Sequence, residues 1–138
     1  MLDGCTPWPE ALEARYRAAG YREGLTIWAM VARTVARLPD KVALVAGARR
    51  ETYADLDRAS ARLGVALRRQ GIRALDRVVL QLPNTPEFVH WYLALVRIGA
   101  IPVLALRAHR HTEVRHFIRA SGAVAYVVPD VAHHFDYR

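Results

Sequence analysis

The fold of this chain is decided by residues 77–105, RVVLQLPNTPEFVHWYLALVRIGAIPVLA. The apolar run at residues 77–82 predicts a buried strand. The turn PNTP that follows is typical of a helix start, with Asn84 or Thr85 as the cap and Pro86 in the first turn. Apolar side chains recur at helical spacing up to a glycine, and residues 101–105 then predict a second strand. Strand, helix and strand in so short a stretch indicate a βαβ unit with parallel strands.

The same pattern continues beyond residue 105. Residues 112–121 predict a helix that ends at Gly122, and residues 123–128 predict a third strand. The fold class is therefore α/β, a partial doubly wound parallel sheet with flanking helices. In such sheets ligands bind at the carboxyl ends of the strands, where the strand order reverses. A binding crevice is therefore expected at the segments that follow the strands, which are residues 83–85, 106–111 and 129–130.

The residues before the parallel sheet predict three helices and an N-terminal β-hairpin. Helical spacing of apolar residues places the helices, and glycine or proline marks their ends. Two short apolar or β-prone stretches around a glycine-containing turn predict the hairpin. The predicted elements are a helix at residues 9–19, a helix capped by Thr26, strands at residues 42–46 and 51–53 around a turn at residues 47–50, and a long helix opened by Asp55 and ended by Gly71.

Composition and charge exclude several classes of protein. The 138 residues are 53% hydrophobic, which is enough for one domain with a buried core. The net charge of +7 comes almost entirely from arginine, and Lys41 is the only lysine. A basic face can attract nucleic acid, but the arginines are spread along predicted helices without a nucleic-acid-binding motif. We therefore interpret them as solvated helix faces and expect no nucleic-acid partner.

No segment predicts contact with a membrane. Residues 1–7 have neither the basic nor the apolar part of a secretory signal. The longest apolar run, residues 98–106, is too short to span a bilayer and includes Pro102. The single cysteine, Cys5, allows no intrachain disulfide and fits a reducing compartment. We expect a soluble, cytoplasmic protein with no membrane partner.

The motifs that bind phosphate or metal are missing from the sequence. Neither GxGxxG nor GxxxxGK[ST] occurs, and there is no GxSxG nucleophile elbow. His109, His111 and His116 lie close together, but the last two are five residues apart, which is poor for one helix face. No cysteine or carboxylate pair completes a metal-ligand set. We predict neither a metal site nor a catalytic residue within these residues.

Three residues are candidates for a substrate crevice: Asn84, His109 and Arg110. Each follows a predicted strand, where the edge of the sheet would meet a ligand. For Asn84 we favour the alternative interpretation, a helix cap. For Arg107, His109 and Arg110, a polar loop that anchors the next helix is as good an interpretation as contact with an anion.

The quoted stretch resembles a known family. The segments GIRALDRVVLQLPN at 71–84, AL at 94–95 and GAIPV at 99–103, with Glu87 between them, are similar to the N-terminal subdomain of the adenylate-forming superfamily. That superfamily includes acyl-CoA synthetases, luciferases and the adenylation domains of nonribosomal peptide synthetases. TYADL at 52–56 resembles the start of the long helix in its members.

Further segments resemble the (2,3-dihydroxybenzoyl)adenylate synthases, the stand-alone aryl-acid ligases of siderophore synthesis. These segments are WPE at 8–10, RYR at 15–17, GY at 20–21, LALRAHR at 104–110, PD at 129–130 and FDYR at 135–138. Members of this group usually have proline where Arg107 stands, and commonly an aromatic residue where Arg22 stands. The first departure lies in the loop at 104–110, so the family's shape for this loop is not carried over to this chain.

The resemblance implies an N-terminal fragment, because family members are several-fold longer. Residues 1–25 are expected to be a leader with a short helix, and residues 26–138 an incomplete α/β subdomain. The complete enzyme would use ATP and Mg to activate 2,3-dihydroxybenzoate or salicylate and pass it to the thiol of an aryl carrier protein. The ATP-phosphate loop, the acid pocket and the C-terminal lysine would lie beyond residue 138. We therefore expect this chain alone to bind no cofactor tightly and to catalyse nothing, with the remainder of the ligase as its partner.

Two alternatives stay open at this point. One is a fragment of another acyl- or aryl-CoA ligase of the same superfamily, which its acid pocket would distinguish. The other is a stand-alone, non-catalytic α/β binding module. Cooperative unfolding of a monodisperse species favours the module, whereas aggregation favours a fragment, because the strand at residues 123–128 would lack its partner.

Overall fold

The computed structural model of the chain describes residues 4–132 and 135–136. Residues 1–3, 133–134 and 137–138, including part of the segment FDYR, lie outside the described residues. The elements follow one another as α1 (Glu10–Ala18), α2 (Ile27–Arg37), β1 (Val42–Ala46), β2 (Arg49–Thr52), α3 (Tyr53–Arg69), β3 (Arg77–Leu80), α4 (Pro86–Arg97), β4 (Ile101–Leu104), α5 (His111–Ser121), β5 (Ala125–Val127), β6 (Val131–Ala132) and β7 (Phe135–Asp136).

The predicted N-terminal hairpin is formed by β1 and β2, with a tighter turn than expected. The strands are antiparallel, and Ala46 pairs with Arg49 across a two-residue turn. Gly47 occupies this turn with φ +59°, a conformation that glycine adopts without steric cost. The predicted four-residue turn at residues 47–50 is therefore wrong, because Arg49 and Arg50 already belong to β2.

The long helix α3 begins two residues earlier than predicted. Thr52 is its N-cap, and the Thr52 hydroxyl accepts a hydrogen bond from the Asp55 N–H at 3.2 Å. The Asp55 carboxylate in turn accepts from the Thr52 N–H at 2.9 Å. Asp55 therefore does not open the helix but completes a reciprocal capping box from the third helical position. The cap predicted for α2 is confirmed, since the Thr26 hydroxyl accepts from the Ala29 N–H at 3.1 Å.

The α/β prediction is confirmed by a three-stranded parallel sheet in the order β4-β3-β5. Leu80 at the end of β3 pairs with Leu104 of β4 on one side and with Val127 of β5 on the other. The chain thus moves from β3 to β4 and then back across β3 to β5. Right-handed crossovers in opposite directions cover opposite faces of a sheet, so α4 and α5 lie on different faces.

The core forms where α3 and α4 pack against each other beside β3. The three residues Val78, Val79 and Leu80 of the central strand are fully buried. Helix α3 approaches α4 closely at Gly64, where a Cβ atom would lie 3.1 Å from Cγ2 of Ile98. Central strands with apolar side chains on both faces, as here, are typical of sheets covered by helices.

The strands are shorter than predicted at their carboxyl ends. β3 ends at Leu80 and β4 at Leu104, although the prediction extended them to residues 82 and 105. Hydrogen bonding nevertheless continues one residue further, because the Gln81 N–H donates to the Val127 carbonyl at 2.9 Å. At the next turn Pro83 has no N–H to donate, so the ladder cannot extend through it. The third strand is likewise shorter than the predicted 123–128.

Among the described residues, no helix is long and apolar enough to cross a membrane.

Candidate functional site

The loops after β3 and β4 meet at one edge of the sheet. Their strands are parallel and adjacent, with Leu80 and Leu104 in register. Asn84 therefore lies in one loop, and His109 and Arg110 lie in the neighbouring loop, at the edge where parallel α/β sheets bind their ligands.

Gln81 lies beneath this edge and was not singled out from the sequence. The residue is 1% exposed, and its side-chain Nε2 donates to the carbonyl of Leu106 at 2.7 Å and to that of His109 at 3.0 Å. Its side-chain oxygen accepts a hydrogen bond from the Tyr126 hydroxyl of β5. One buried amide thus connects the end of β3, the loop after β4 and strand β5. A polar residue inside an apolar strand run was the signal that could have identified it.

His109 is half-buried and held from two sides. The ring Nδ1 of His109 accepts a hydrogen bond from the backbone N–H of Leu106 at 3.0 Å. The backbone N–H of His109 donates to the Leu106 carbonyl, also at 3.0 Å. The imidazole packs edge-on against Phe117, with 4.9 Å between ring centroids. Because Nδ1 accepts, neutral His109 carries its proton on Nε2, which is then a hydrogen-bond donor.

Arg110 is exposed and directly precedes α5. It occupies the N-cap position, and its N–H donates to the Glu113 carboxylate at 2.9 Å. This hydrogen bond is the main reason why the pKa of Glu113 lies below its usual range. The guanidinium Nη1 donates to the Arg107 carbonyl at 2.6 Å and to the His109 carbonyl at 3.2 Å. The side chain of Arg110 thus curls over the loop that carries His109, and α5 begins at His111, one residue before the predicted start.

Asn84 is exposed, and the preferred interpretation of it as a helix cap is wrong. Thr85 holds the N-cap position of α4 and Pro86 the first helical position. Pro86 has no N–H that needs a cap, which reduces the need for a capping side chain here.

Glu87 in the same turn binds Arg49 of the hairpin at 2.7 Å. The pKa of Glu87 is lowered, first by its own backbone N–H and then by Arg49.

The whole chain is similar to proteins of one family. The sequence model described as AMP-binding enzyme matches residues 31–137. The chain belongs to the AMP-binding enzyme family. It is 49% identical over 138 residues to Triostin synthetase I of Streptomyces triostinicus, and 41% identical over 138 residues to the 2,3-dihydroxybenzoate-AMP ligase of Bacillus subtilis. Both alignments cover 100% of this chain and 26% of the relative, so the chain spans about a quarter of the length of these relatives.

A solved structure has the same fold. The apo structure of MbtA from Mycobacterium smegmatis superposes with a TM-score of 0.85 at 41% identity, over 89% of this chain and 23% of that one. Together with the family match and the 2,3-dihydroxybenzoate-AMP ligase alignment, this structure confirms the resemblance to aryl-acid adenylating ligases seen in the sequence. The structure of the NpsA N-terminal subdomain from Klebsiella oxytoca is also similar, with a TM-score of 0.74 at 26% identity over 78% of this chain and 28% of that one.

The candidate crevice contains donors of hydrogen bonds. Nε2 of His109 and the guanidinium of Arg110 both suit an anionic or carbonyl oxygen. The structure brings these two residues into one loop, whereas Asn84 stays in the adjacent loop. Within residues 4–132 and 135–136, no group of three or more His, Cys, Asp or Glu side chains is placed to hold a metal ion.

A second polar cluster lies away from this edge, between the hairpin and α4. Glu51 is 8% exposed, and its carboxylate lies 2.7 Å from Nε2 of His90. Arg49 forms ion pairs with both Glu51 and Glu87. The four side chains satisfy one another, so this cluster fastens the hairpin to α4 and is not an open site.

Proposed function

We propose that this chain is the N-terminal part of an ATP-dependent aryl-acid adenylating ligase. The observation that carries the proposal is the alignment of the entire chain, at 41% identity, with a 2,3-dihydroxybenzoate-AMP ligase. In this proposal residues 1–25 form a leader with a short helix, and residues 26–138 form an incomplete α/β subdomain. The match of residues 31–137 to the AMP-binding enzyme family supports the assignment, as does the agreement in fold with MbtA at a TM-score of 0.85.

The reaction proposed for the complete enzyme begins with attack by the acid's carboxylate on the α-phosphate of ATP. Pyrophosphate leaves, and an aryl adenylate forms. The described residues do not form a site for ATP and Mg. The sequence has no phosphate-binding loop motif, and the described residues include no cluster of carboxylates placed to hold a metal ion. The sites for ATP and Mg are assigned to residues beyond position 138.

The role proposed for the present residues is to form one wall of the ligand crevice. Asn84, His109 and Arg110 are the proposed contacts, and the last two would meet an anionic group of the ligand. The support is their position after adjacent parallel strands, together with the hydrogen-bond donor expected at Nε2 of His109. No catalytic role is assigned to them.

The substrate and partners are proposed from the resemblance to the aryl-acid ligases. The acid is 2,3-dihydroxybenzoate or salicylate, and the acceptor is the thiol of an aryl carrier protein in siderophore biosynthesis. The enzyme is placed in the cytoplasm, with no nucleic-acid partner. These details go beyond the family membership.

The test starts with the coding DNA beyond codon 138. A frame that continues into a Ser/Thr/Gly-rich loop ending in lysine supports the proposal, whereas a stop codon after Arg138 contradicts it and favours a binding module. The complete protein should then catalyse ATP–pyrophosphate exchange that depends on 2,3-dihydroxybenzoate or salicylate, with octanoate as the aliphatic control. Exchange with octanoate alone would refute the aryl-acid assignment.

Two further assays define the acceptor and the limits of the chain. Incubation of the complete protein with the aryl acid and either an aryl carrier protein or CoA distinguishes the proposed ligase from a CoA ligase. The isolated 138 residues should show no pyrophosphate exchange with any of the acids. Measurable exchange by that chain would show that the chemistry resides within it and would contradict the proposed division.

A further inference from the structure

The side chain of Gln81 makes hydrogen bonds with both ends of its amide. Nε2 has two hydrogens, and each has its own acceptor, the carbonyls of Leu106 and His109. The oxygen accepts from Tyr126. At 1% exposure the amide is beyond the reach of water or of a ligand in the crevice. Any effect of Gln81 on a ligand must therefore pass through the groups that it binds.

The two acceptors of Gln81 are the ends of one tight turn. Leu106 and His109 already bond each other twice, through the backbone and through Nδ1 of the histidine. The Leu106 side chain is 68% exposed, so it adds little apolar packing to the turn. Gln81 anchors both of its carbonyls to the end of the central strand. The carbonyl of His109 also accepts from Arg110, so the anchor reaches both candidate contacts.

We propose that Gln81 is a positioning residue that holds the turn from Leu106 to His109 so that His109 and Arg110 face the ligand. The effect of Gln81 on ligand binding rests on the proposed function. The positioning of the turn rests only on the two hydrogen bonds from Nε2 of Gln81. The ligand group positioned in this way is an anionic oxygen, either of a carboxylate or of a phosphate.

Substitutions can separate the two ends of the amide. Gln81→Met keeps the length of the side chain but removes both donors. The Leu106 carbonyl then keeps only the His109 N–H, and the His109 carbonyl keeps only Nη1 of Arg110. Gln81→Glu has the same shape but offers only acceptors to those carbonyls. Tyr126→Phe is the matched control, because it removes the hydroxyl at the other end of the amide and retains both Nε2 hydrogen bonds.

Hydrogen–deuterium exchange of the complete protein tests the hold on the turn. Peptides that cover residues 106–110 should exchange about 10-fold to 100-fold faster in Gln81→Met, the effect of two lost hydrogen bonds. Peptides from β3 and α4 should keep their rates, which separates a local change from unfolding. Equal acceleration throughout the protein, or an effect of Tyr126→Phe on the turn as large as that of Gln81→Met, would overturn the assignment.

Kinetics of the complete protein test the consequence for the ligand. Gln81→Met and Gln81→Glu should raise KM for the aryl acid or for ATP by about 10-fold, with a smaller change in kcat, if only binding geometry is lost. When His109 and Arg110 are both replaced by alanine, adding Gln81→Met should raise KM by less than about 2-fold. Additive effects would refute action through the turn. If the unsubstituted protein lacks pyrophosphate exchange, the proposed function fails, whereas hydrogen exchange still decides the role of Gln81 in the turn.

Discussion

Arg77 connects the start of the central strand to the end of α5, and its removal is predicted to destabilise the chain. Its Nε donates to the Ser121 carbonyl at 2.6 Å, and Nη2 donates to that of Gly122 at 3.3 Å. Nη1 donates to the Leu75 carbonyl at 3.0 Å. The carbonyls at the end of a helix have no partners within the helix, and a cation at that end is favourable. Arg77→Met removes these hydrogen bonds but keeps much of the apolar stem.

The expected loss follows from the number and exposure of these hydrogen bonds. The two shorter ones, of which the bond to Ser121 is part-buried and the bond to Leu75 is exposed, contribute about 1 kcal/mol each, and the long one contributes little. The interaction with the helix end adds about 0.5 kcal/mol. Arg77→Met should therefore lower the free energy of unfolding by about 2–3 kcal/mol, a large share of the 5–15 kcal/mol typical of a domain.

Gly122 provides a test of the same contact from the other side. It ends α5 at φ +62°, and a Cβ atom there would lie 2.9 Å from Nη2 of Arg77. Gly122→Ala should thus combine backbone strain with displacement of the guanidinium. In a double-mutant cycle with Arg77→Met, the two changes should be non-additive by about 1 kcal/mol, because they damage the same contact. Gly71, at φ +89° with nothing within 4 Å of its Cβ position, is the matched control and should combine additively with Arg77→Met.

Urea unfolding followed by far-UV circular dichroism measures these differences. The variants are Arg77→Met, Gly122→Ala, Gly71→Ala and the two double mutants. A loss below about 0.5 kcal/mol for Arg77→Met, the level of ordinary surface substitutions, would refute the stabilising role of the guanidinium. Additivity of Arg77→Met with Gly122→Ala would show that the two residues do not share a contact.

The remaining predictions concern the core and the capping box. Leu95 is fully buried, so Leu95→Ala should lower the free energy of unfolding in urea by about 2–5 kcal/mol. Val65→Ala, at a 54% exposed site, should lower it by less than about 1 kcal/mol. Equal losses of stability would contradict the described core. The hydrogen bond from the Thr52 N–H holds the pKa of Asp55 below its ordinary value of 3.8. The ionised Asp55 carboxylate therefore stabilises the folded chain fully above pH 3.8. This contribution is lost as the pH falls through the lower pKa of the folded state. In Asp55→Asn, the free energy of unfolding in urea should therefore fall less steeply as the pH is lowered. An unchanged dependence on pH would exclude a contribution from the Asp55 carboxylate.

Local sequence patterns predicted most of the helices and strands correctly. The strand Val42–Ala46 has the predicted bounds, and Gly122 ends α5 in the left-handed conformation that its position suggested. Helix starts were less accurate, because a cap depends on which of several polar residues reaches the free N–H groups. Thr52 precedes Asp55 by three residues, and both can accept such hydrogen bonds, so spacing alone did not show that Thr52 comes first.

The sequence by itself determined the family, the α/β class and the parallel direction of the strands. These follow from residues that are neighbours along the chain, since a βαβ crossover and a motif such as LPN are both local. The roles of Asn84, His109 and Arg110 in a crevice remain predictions. Their positions after adjacent strands were inferred from the same local pattern.

Only the tertiary structure decided the order β4-β3-β5 and the hydrogen-bond partners of Gln81. The acceptors of its Nε2 are 25 and 28 residues away along the chain, and Tyr126 is 45 residues away. No local pattern encodes such partners, because they come together only after the chain has crossed the sheet in both directions. A buried amide is stable only with its hydrogen bonds made, so the fold that supplies these partners also determines what Gln81 does.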